Sequence, residues 1–181
     1  MQILKHLAFV ALALAMGSCG PSLRFFTEDL RVENNWTEQE LQQVQFYLSE
    51  DIILRRQLSG TQSTIEGGSI KIVNGDKVEE IVIRQGTPGV LVKRPKDDRF
   101  AIAFEGGNTP RYLMFGPNPN ASGRYVLLAS EWEQRQGKVT YGSSMYLVGA
   151  EDSMASLMVD LKRQARVEVK SNTANGRRVG Q

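Results

Sequence analysis

The sequence predicts a mainly β fold, arranged as a small antiparallel barrel or a two-sheet sandwich, with one N-terminal amphipathic helix. From about residue 52 onward, short segments rich in Ile, Val, Tyr and Phe alternate with clusters of turn residues. The connections between these segments are too short for parallel crossovers, which need about a dozen or more residues. Many short strands joined in this way, after a single capped apolar segment, are typical of small antiparallel architectures.

The helix is predicted from Thr37 to about Leu48. Thr37 and Glu40 have the spacing of a capping box, and Trp36 can pack on Leu41 as a hydrophobic staple. Apolar residues then recur at helical spacing, at Leu41, Val44 and Leu48. We expect this amphipathic helix to lie against the sheet that follows.

The first strand is predicted at 52–58. The strongest hairpin signal is Asn74-Gly75, which separates the apolar segments 70–73 and 78–83. Further strands are predicted at 90–93, 100–104, 111–115, 124–132, 139–141 and 145–148. Segment 154–161 fits either a helix or a strand that closes the sheet, and we favour the strand.

The first eighteen residues have the order of a secretory signal. Lys5 is followed by an uninterrupted apolar run over 7–16. Such a run spans only about 15 Å as a helix, whereas the hydrocarbon core of a bilayer is roughly 30 Å thick. We therefore expect a signal that is removed rather than a permanent transmembrane helix.

The end of this segment, Met16-Gly17-Ser18-Cys19, resembles the lipobox of bacterial lipoproteins. In that family the cysteine sulfur receives a diacylglyceryl group, and cleavage leaves the acylated cysteine as the first residue. The resemblance implies a signal peptide over 1–18, palmitate-type acyl chains on Cys19 and a lipidated tether over 19–35. The alternative is an ordinary secretory signal followed by an incidental cysteine.

Two further expectations follow from resemblance. In enterobacterial lipoproteins an aspartate directly after the cysteine favours the inner membrane, and Gly20 in that position implies the outer membrane. The chain is also similar to small, mostly uncharacterised lipoproteins of Bacteroidetes, through residues 36–56 and through Val139-x-Tyr141-Gly142 followed by 157–162. That similarity implies the compartment and the fold but no activity.

Composition excludes several classes of chemistry in the exported part. His6 is the only histidine and leaves with the signal, and Cys19 is the only cysteine. The mature chain therefore has no residues for a Ser-His-Asp or Cys-His nucleophile, or for a histidine or thiolate metal site. We expect no cofactor and no metal.

Length and charge bound the remaining possibilities. Removing residues 1–18 from 181 leaves 163, which suits one domain, expected over 36–170 with a flexible tail at 171–181. Removal of Lys5 reduces the 22 basic residues to 21, against 20 acidic ones. This near-neutral balance gives no reason to expect a nucleic-acid partner.

Two groups of residues are candidates for a site. Glu131 and Glu133 flank Trp132, and in a strand their carboxylates would lie on one face about 6–7 Å apart, as glycoside hydrolysis permits. The alternative is a solvated strand end. Tyr112, Trp132 and Tyr141 could instead cluster on a loop-lined binding rim, unless they are simply core residues.

Basic clusters at Arg55-Arg56 and 93–96 could present a patch to an anionic surface, although charges on strands are usually solvated.

Together these limits favour a membrane-anchored envelope lipoprotein with a non-enzymatic binding or structural role, whose partner is an unknown envelope protein or polymer. A carboxylate-dependent hydrolase acting on envelope glycan is the alternative.

Overall fold

The structure, a computed structural model, describes residues 22–58, 67–107, 110–133 and 135–161. Within these ranges the chain is mainly β, and its strands form two antiparallel sheets. The predicted fold class is therefore confirmed. The expected signal segment, Cys19 and the tail 171–181 fall outside the described residues.

The first sheet has seven strands, numbered here in chain order. They are Leu23–Phe25 (β1), Phe46–Leu48 (β2), Pro88–Lys96 (β6), Arg99–Ala103 (β7), Tyr112–Asn118 (β8), Arg124–Leu127 (β9) and Leu157–Asp160 (β13). Their spatial order is β1, β13, β2, β6, β7, β8, β9. The Tyr125 N–H donates to the Phe26 carbonyl at 3.1 Å, and the Leu127 N–H donates to the Ala155 carbonyl at 3.0 Å. These bonds join β9, at one edge of the sheet, to Phe26 just after β1 and to Ala155 just before β13. The two edges of the first sheet therefore meet.

The second sheet has six strands. They are Ile52–Gln57 (β3), Ser69–Val73 (β4), Asp76–Ile83 (β5), Trp132–Glu133 (β10), Gln136–Tyr141 (β11) and Ser144–Gly149 (β12). Their spatial order is β10, β11, β12, β3, β5, β4. Within the described ranges, β10 and β4 are consequently the two edges of this sheet.

The predicted hairpin turn and most of the predicted strands occur. The single strand predicted at 124–132 is wrong, because β9 ends at Leu127 and the chain then crosses to the second sheet, where Trp132 begins β10. Asn74 and Gly75 adopt φ angles of 53° and 89°, and they form the two-residue loop between β4 and β5, whose closing pair is Val73 and Asp76. Residues with positive φ are what such a loop requires. The ambiguous segment 154–161 contains the strand β13 after a single 3-10 turn, Asp152–Met154.

The predicted helix over 37–48 is correct at its start and too long at its end. A helix α2, Glu38–Gln43, follows a complete capping box, in which Glu40 Oε2 accepts from the Thr37 N–H at 2.7 Å. Leu48 belongs to β2 instead, between β13 and β6. Phe46 and Leu48 are buried by these neighbouring strands, and that pairing overrides the helical spacing.

A helix that the sequence pattern does not predict precedes α2. Helix α1, Glu28–Asn34, is capped by Thr27, whose side chain accepts from the Leu30 N–H, and it ends at Asn35 in the left-handed conformation. None of the residues of α1 is buried. The helix therefore lacks the apolar stripe by which an amphipathic helix is predicted from a sequence. The folded body begins as early as Leu23, ahead of the boundary expected at 36.

The core is rich in aromatic residues. Among the described residues, the largest fully buried side chains are Tyr125, Tyr141, Tyr146, Phe26, Phe46, Phe100 and Phe115. Phe26 contacts the rings of Trp36, Phe46, Phe100 and Tyr125. This cluster ties the N-terminal segment to the first sheet.

No helix in the described part of the chain is long and apolar enough to span a membrane.

Candidate functional site

The three aromatic candidates do not share one rim. Tyr141 is fully buried, and its ring lies 6.4 Å from the Tyr146 ring in the core. Trp132 is 46% exposed on the edge strand β10, and its ring lies over Gly137 on the neighbouring strand. Tyr112 is half-buried on β8. Tyr141 is therefore a core residue rather than part of a binding rim. Of the three candidates, Tyr112 and Trp132 are exposed enough to contact a ligand.

The carboxylate pair is held by a lysine. Lys138 Nζ lies 2.8 Å from Glu131 Oε2 and 3.4 Å from Glu133 Oε1, and both glutamates are exposed. The hydrogen bond from Lys138 holds the pKa of Glu131 below its usual value. A glycosidase acid needs a raised pKa, which requires burial rather than a neighbouring cation. The arrangement of Glu131 and Glu133 therefore matches the alternative interpretation, in which the two glutamates lie at a solvent-exposed strand end.

The basic cluster at Arg55-Arg56 does not form a patch. Neighbouring residues of a strand point to opposite faces, and each arginine meets a different carboxylate of β5. Arg55 bonds to Glu80 at 3.0 Å, and Arg56 bonds to Glu79 at 2.5 Å. Each arginine thus has a carboxylate partner within the second sheet, and Arg55 shares Glu80 with Lys71.

A surface cleft of about 590 Å³ contains Tyr112, and we call it the Tyr112 cleft. Its basic lining residues are Lys93, Arg99 and Lys138, and its apolar ones are Pro95, Met114, Leu128, Ala129 and Val139. Ser130 and Thr140 are the remaining polar ones. No Asp or Glu lines the cleft among the described residues. A concave surface that carries one sign of charge concentrates ligands of the opposite sign.

A β-bulge places Lys93 in this cleft. Leu91 pairs with Ile102, whereas Lys93 pairs with Ala101, so β6 advances two residues where β7 advances one. Without the extra residue, Lys93 would lie on the same face as the buried Leu91. The bulge turns Lys93 outward, and no sequence signal marks it.

Lys93 is the cation of this cleft that is available to a ligand. Its Nζ lies 4.4 Å from the centroid of the Tyr112 ring, and it makes no ion pair within the described residues. Arg99 is paired with Asp98 at 2.6 Å, and Lys138 is paired with the two glutamates. The Tyr112 ring attracts and positions the Lys93 ammonium but carries no net negative charge, so the positive charge of Lys93 is not cancelled.

Two other clefts are less specific. One of about 830 Å³ lies on the second sheet, and its lining mixes Arg55 and Arg135 with Glu133 and Glu151, so its charges largely cancel. The other, of about 290 Å³, lies beside Trp132 and is lined mostly by apolar residues. Neither combines an apolar floor with charge of a single sign.

No family model matches this chain, and no curated protein or solved structure resembles it at a significant level. Within the described ranges, no group of three or more His, Cys, Asp or Glu side chains is placed to hold a metal ion.

Proposed function

We propose that this chain is a lipid-anchored envelope protein that binds an acidic segment of another envelope protein and catalyses no reaction. The observation that supports this most directly is the Tyr112 cleft, whose lining includes Lys93 beside the paired cations Arg99 and Lys138. The Lys93 ammonium makes no ion pair with any described residue, and its contact with the Tyr112 ring fixes its position. An acidic ligand would supply the missing counter-charge.

The composition of the cleft favours a peptide over a polysaccharide. Its floor is apolar, at Met114, Leu128 and Val139, and this suits the aliphatic side chains of a protein segment. A glycan would need many hydrogen-bonding groups, and apart from the cations the cleft offers three hydroxyls, those of Tyr112, Ser130 and Thr140. A short strand or loop with both carboxylates and aliphatic side chains fits these features.

The membrane anchor in this proposal is lipid on Cys19, with the outer membrane as the expected location. Each buried methylene contributes about 0.8 kcal/mol, so two or three acyl chains would make the anchor effectively permanent. Labelling cells with a fatty-acid analogue tests it: the wild-type chain should be labelled and Cys19→Ser should not. Equal labelling of the two chains would contradict the anchor.

The hydrolase alternative has less support. Glu131 and Glu133 share the Lys138 ammonium, and both side chains are exposed to solvent. Neither feature supplies a protonated carboxylic acid at neutral pH. Hydrolysis of purified envelope glycan, abolished by Glu131→Gln, would restore this alternative.

The binding site is tested with defined peptides and the full chain. A fluorescent peptide of alternating Glu and Leu should bind, whereas the same peptide with Gln in place of Glu should not. Lys93→Gln should weaken binding of the acidic peptide about tenfold, equivalent to about 1.4 kcal/mol. Lys96→Gln makes the same charge change on the same strand outside the cleft, and it should alter binding less than about twofold.

Three outcomes would contradict the proposal. Equal weakening by Lys93→Gln and Lys96→Gln would indicate attraction to net charge rather than to the cleft. Equal binding of the two peptides would remove the role of carboxylates. Tight, Lys93-dependent binding of polygalacturonate, without binding of the acidic peptide, would replace the protein partner with an acidic polysaccharide.

A further inference from the structure

We propose that the free edge of β4 pairs with the same edge in a second copy of this chain, joining the two second sheets into one continuous antiparallel sheet. The pairing surface is Ser69–Val73, which lies on the opposite side of β4 from β5. This inference is independent of the Tyr112 cleft, which lies against the first sheet and β11.

The strand is exposed along its whole length. All five residues of β4 are exposed, and three of them are large and apolar: Ile70 at 50%, Ile72 at 72% and Val73 at 46%. Within the described ranges, β5 is the single strand that pairs with β4. An apolar strand at an open edge is a template for pairing with another chain.

The hairpin geometry determines which backbone groups face outward. Residues that flank a two-residue loop form a hydrogen-bonded pair, here Val73 and Asp76. Because the pattern alternates, the backbone groups of Ser69, Lys71 and Val73 face β5. The N–H and C=O groups of Ile70 and Ile72 therefore face the free edge.

The usual protections of an edge strand are absent from β4. Its register with β5 is continuous over five pairs, without a bulge, and the strand contains no proline. Its one charged residue is Lys71, whose ammonium bonds to the Glu80 carboxylate on β5. The charge that would normally repel a second strand thus has a carboxylate partner within the hairpin.

The strand is complementary to itself. In an antiparallel pair with the twofold axis at Lys71, Ile70 of each copy faces Ile72 of the other. The outward N–H and C=O groups then form four hydrogen bonds, and the four isoleucine side chains meet on one face of the sheet. The two Lys71 side chains meet at the axis, and each ammonium keeps its own Glu80 carboxylate as a partner beside it. This symmetry favours a second copy over an unrelated strand.

Disulfide trapping in the full chain tests the register. In the proposed pair, the two Lys71 residues form a non-hydrogen-bonded pair with Cα atoms about 4.5 Å apart, within disulfide range. Lys71→Cys should give a covalent dimer under mild oxidation. Ser69→Cys is the matched control, because Ser69 faces Val73 of the second copy and the two Ser69 residues lie about 13 Å apart. The wild-type chain, with Cys19 alone, measures any background.

A second measurement avoids the loss of the Lys71 ammonium. Native mass spectrometry of the full chain released from detergent micelles should show a dimer, which Ile72→Lys reduces at least about tenfold because it introduces an uncompensated charge into the pair. Val32→Lys is the control, since Val32 is 59% exposed on α1, away from this edge, and its substitution should leave the dimer unchanged.

The proposal fails if the wild-type chain is monomeric in native mass spectrometry. It also fails if Lys71→Cys and Ser69→Cys form dimers equally, since that pattern reflects random collision. A Lys71→Cys product that joins this chain to a different protein would assign the edge to a foreign strand instead.

Discussion

The rings of Phe26 and Tyr125 pack edge to face, with their centroids 4.8 Å apart and both side chains fully buried. Phe26 follows β1, near the beginning of the described chain, and Tyr125 lies on β9. The Tyr125 N–H also donates to the Phe26 carbonyl. This contact makes the N-terminal segment part of the core rather than a tether beside it.

Phe26→Ala should therefore destabilise the domain strongly, by about 3–5 kcal/mol in the free energy of unfolding, because it empties a site enclosed by four aromatic rings. Phe25→Ala is the control: Phe25 is 38% exposed and lies under the Arg124 guanidinium, so about 1 kcal/mol or less is expected. Urea unfolding midpoints compare the two. Similar losses for both variants would contradict this role of Phe26.

Features of the fold that depend on neighbouring residues could be predicted from sequence. The Asn74-Gly75 loop and the Thr37 capping box are each defined by residues a few positions apart, and both occur as predicted. By contrast, Leu23 pairs with Asp160, near the far end of the described chain. No local pattern encodes that pairing, and it is what orders the segment expected to be a tether.

Arg56→Ala should also be costly, because it removes a cationic partner of the fully buried Glu79. The Glu79 carboxylate accepts from Arg56 and from the Tyr146 hydroxyl in the sheet interior. Removal of one partner from a buried ion pair costs about 3 kcal/mol or more. Arg84→Ala removes the exposed pair with Asp51, and its unfolding midpoint should stay close to that of wild type. A small effect of Arg56→Ala would contradict this stabilising role of the Arg56–Glu79 pair.

Glu80 should contribute to the loss of stability in acid. The hydrogen bond from Lys71, assisted by Arg55, holds its pKa below the ordinary value of 4.5. The unfolded chain then binds the proton more readily, so this stability is fully present above about pH 4.5 and is lost as the pH falls through the folded-state pKa.

Glu80→Gln should accordingly lower the melting temperature at pH 7 and make it less sensitive to pH between about 5 and 3. Thermal unfolding across that range measures both effects. Glu50→Gln, on the loop before β3, is the control for the loss of one exposed carboxylate. An unchanged slope for Glu80→Gln would show that Lys71 and Arg55 do not stabilise the Glu80 carboxylate.

The candidate site was harder to predict than the fold, for a reason visible at three residues. Trp132, Tyr112 and Tyr141 all lie in strands of similar composition, yet one is half-exposed, one lies in a cleft and one is fully buried. Their exposure depends on how the two sheets pack. The cleft also requires the bulge that turns Lys93 outward, and only the structure reveals that irregularity.

Tyr141 and Tyr125 should respond oppositely to loss of their hydroxyl groups. Both side chains are fully buried, and burial raises the pKa of each phenol, so both remain protonated at neutral pH. The Tyr125 hydroxyl donates to Glu28 Oε2 at 2.7 Å, which links α1 to β9. The Tyr141 hydroxyl has no well-aligned hydrogen bond among the described residues, and the Glu105 carboxylate beside it contributes to its raised pKa.

Tyr125→Phe should cost about 1.5 kcal/mol, since it removes a hydrogen bond to a charged acceptor. Tyr141→Phe keeps the ring and removes a buried polar group without a well-aligned hydrogen bond, so the free energy of unfolding should be unchanged or rise by up to about 1 kcal/mol. Urea unfolding of the two variants at pH 7 measures the difference. A loss for Tyr141→Phe as large as that for Tyr125→Phe would mean that the Tyr141 hydroxyl is hydrogen-bonded in solution, and the site would then hold an ordered polar group rather than plain core.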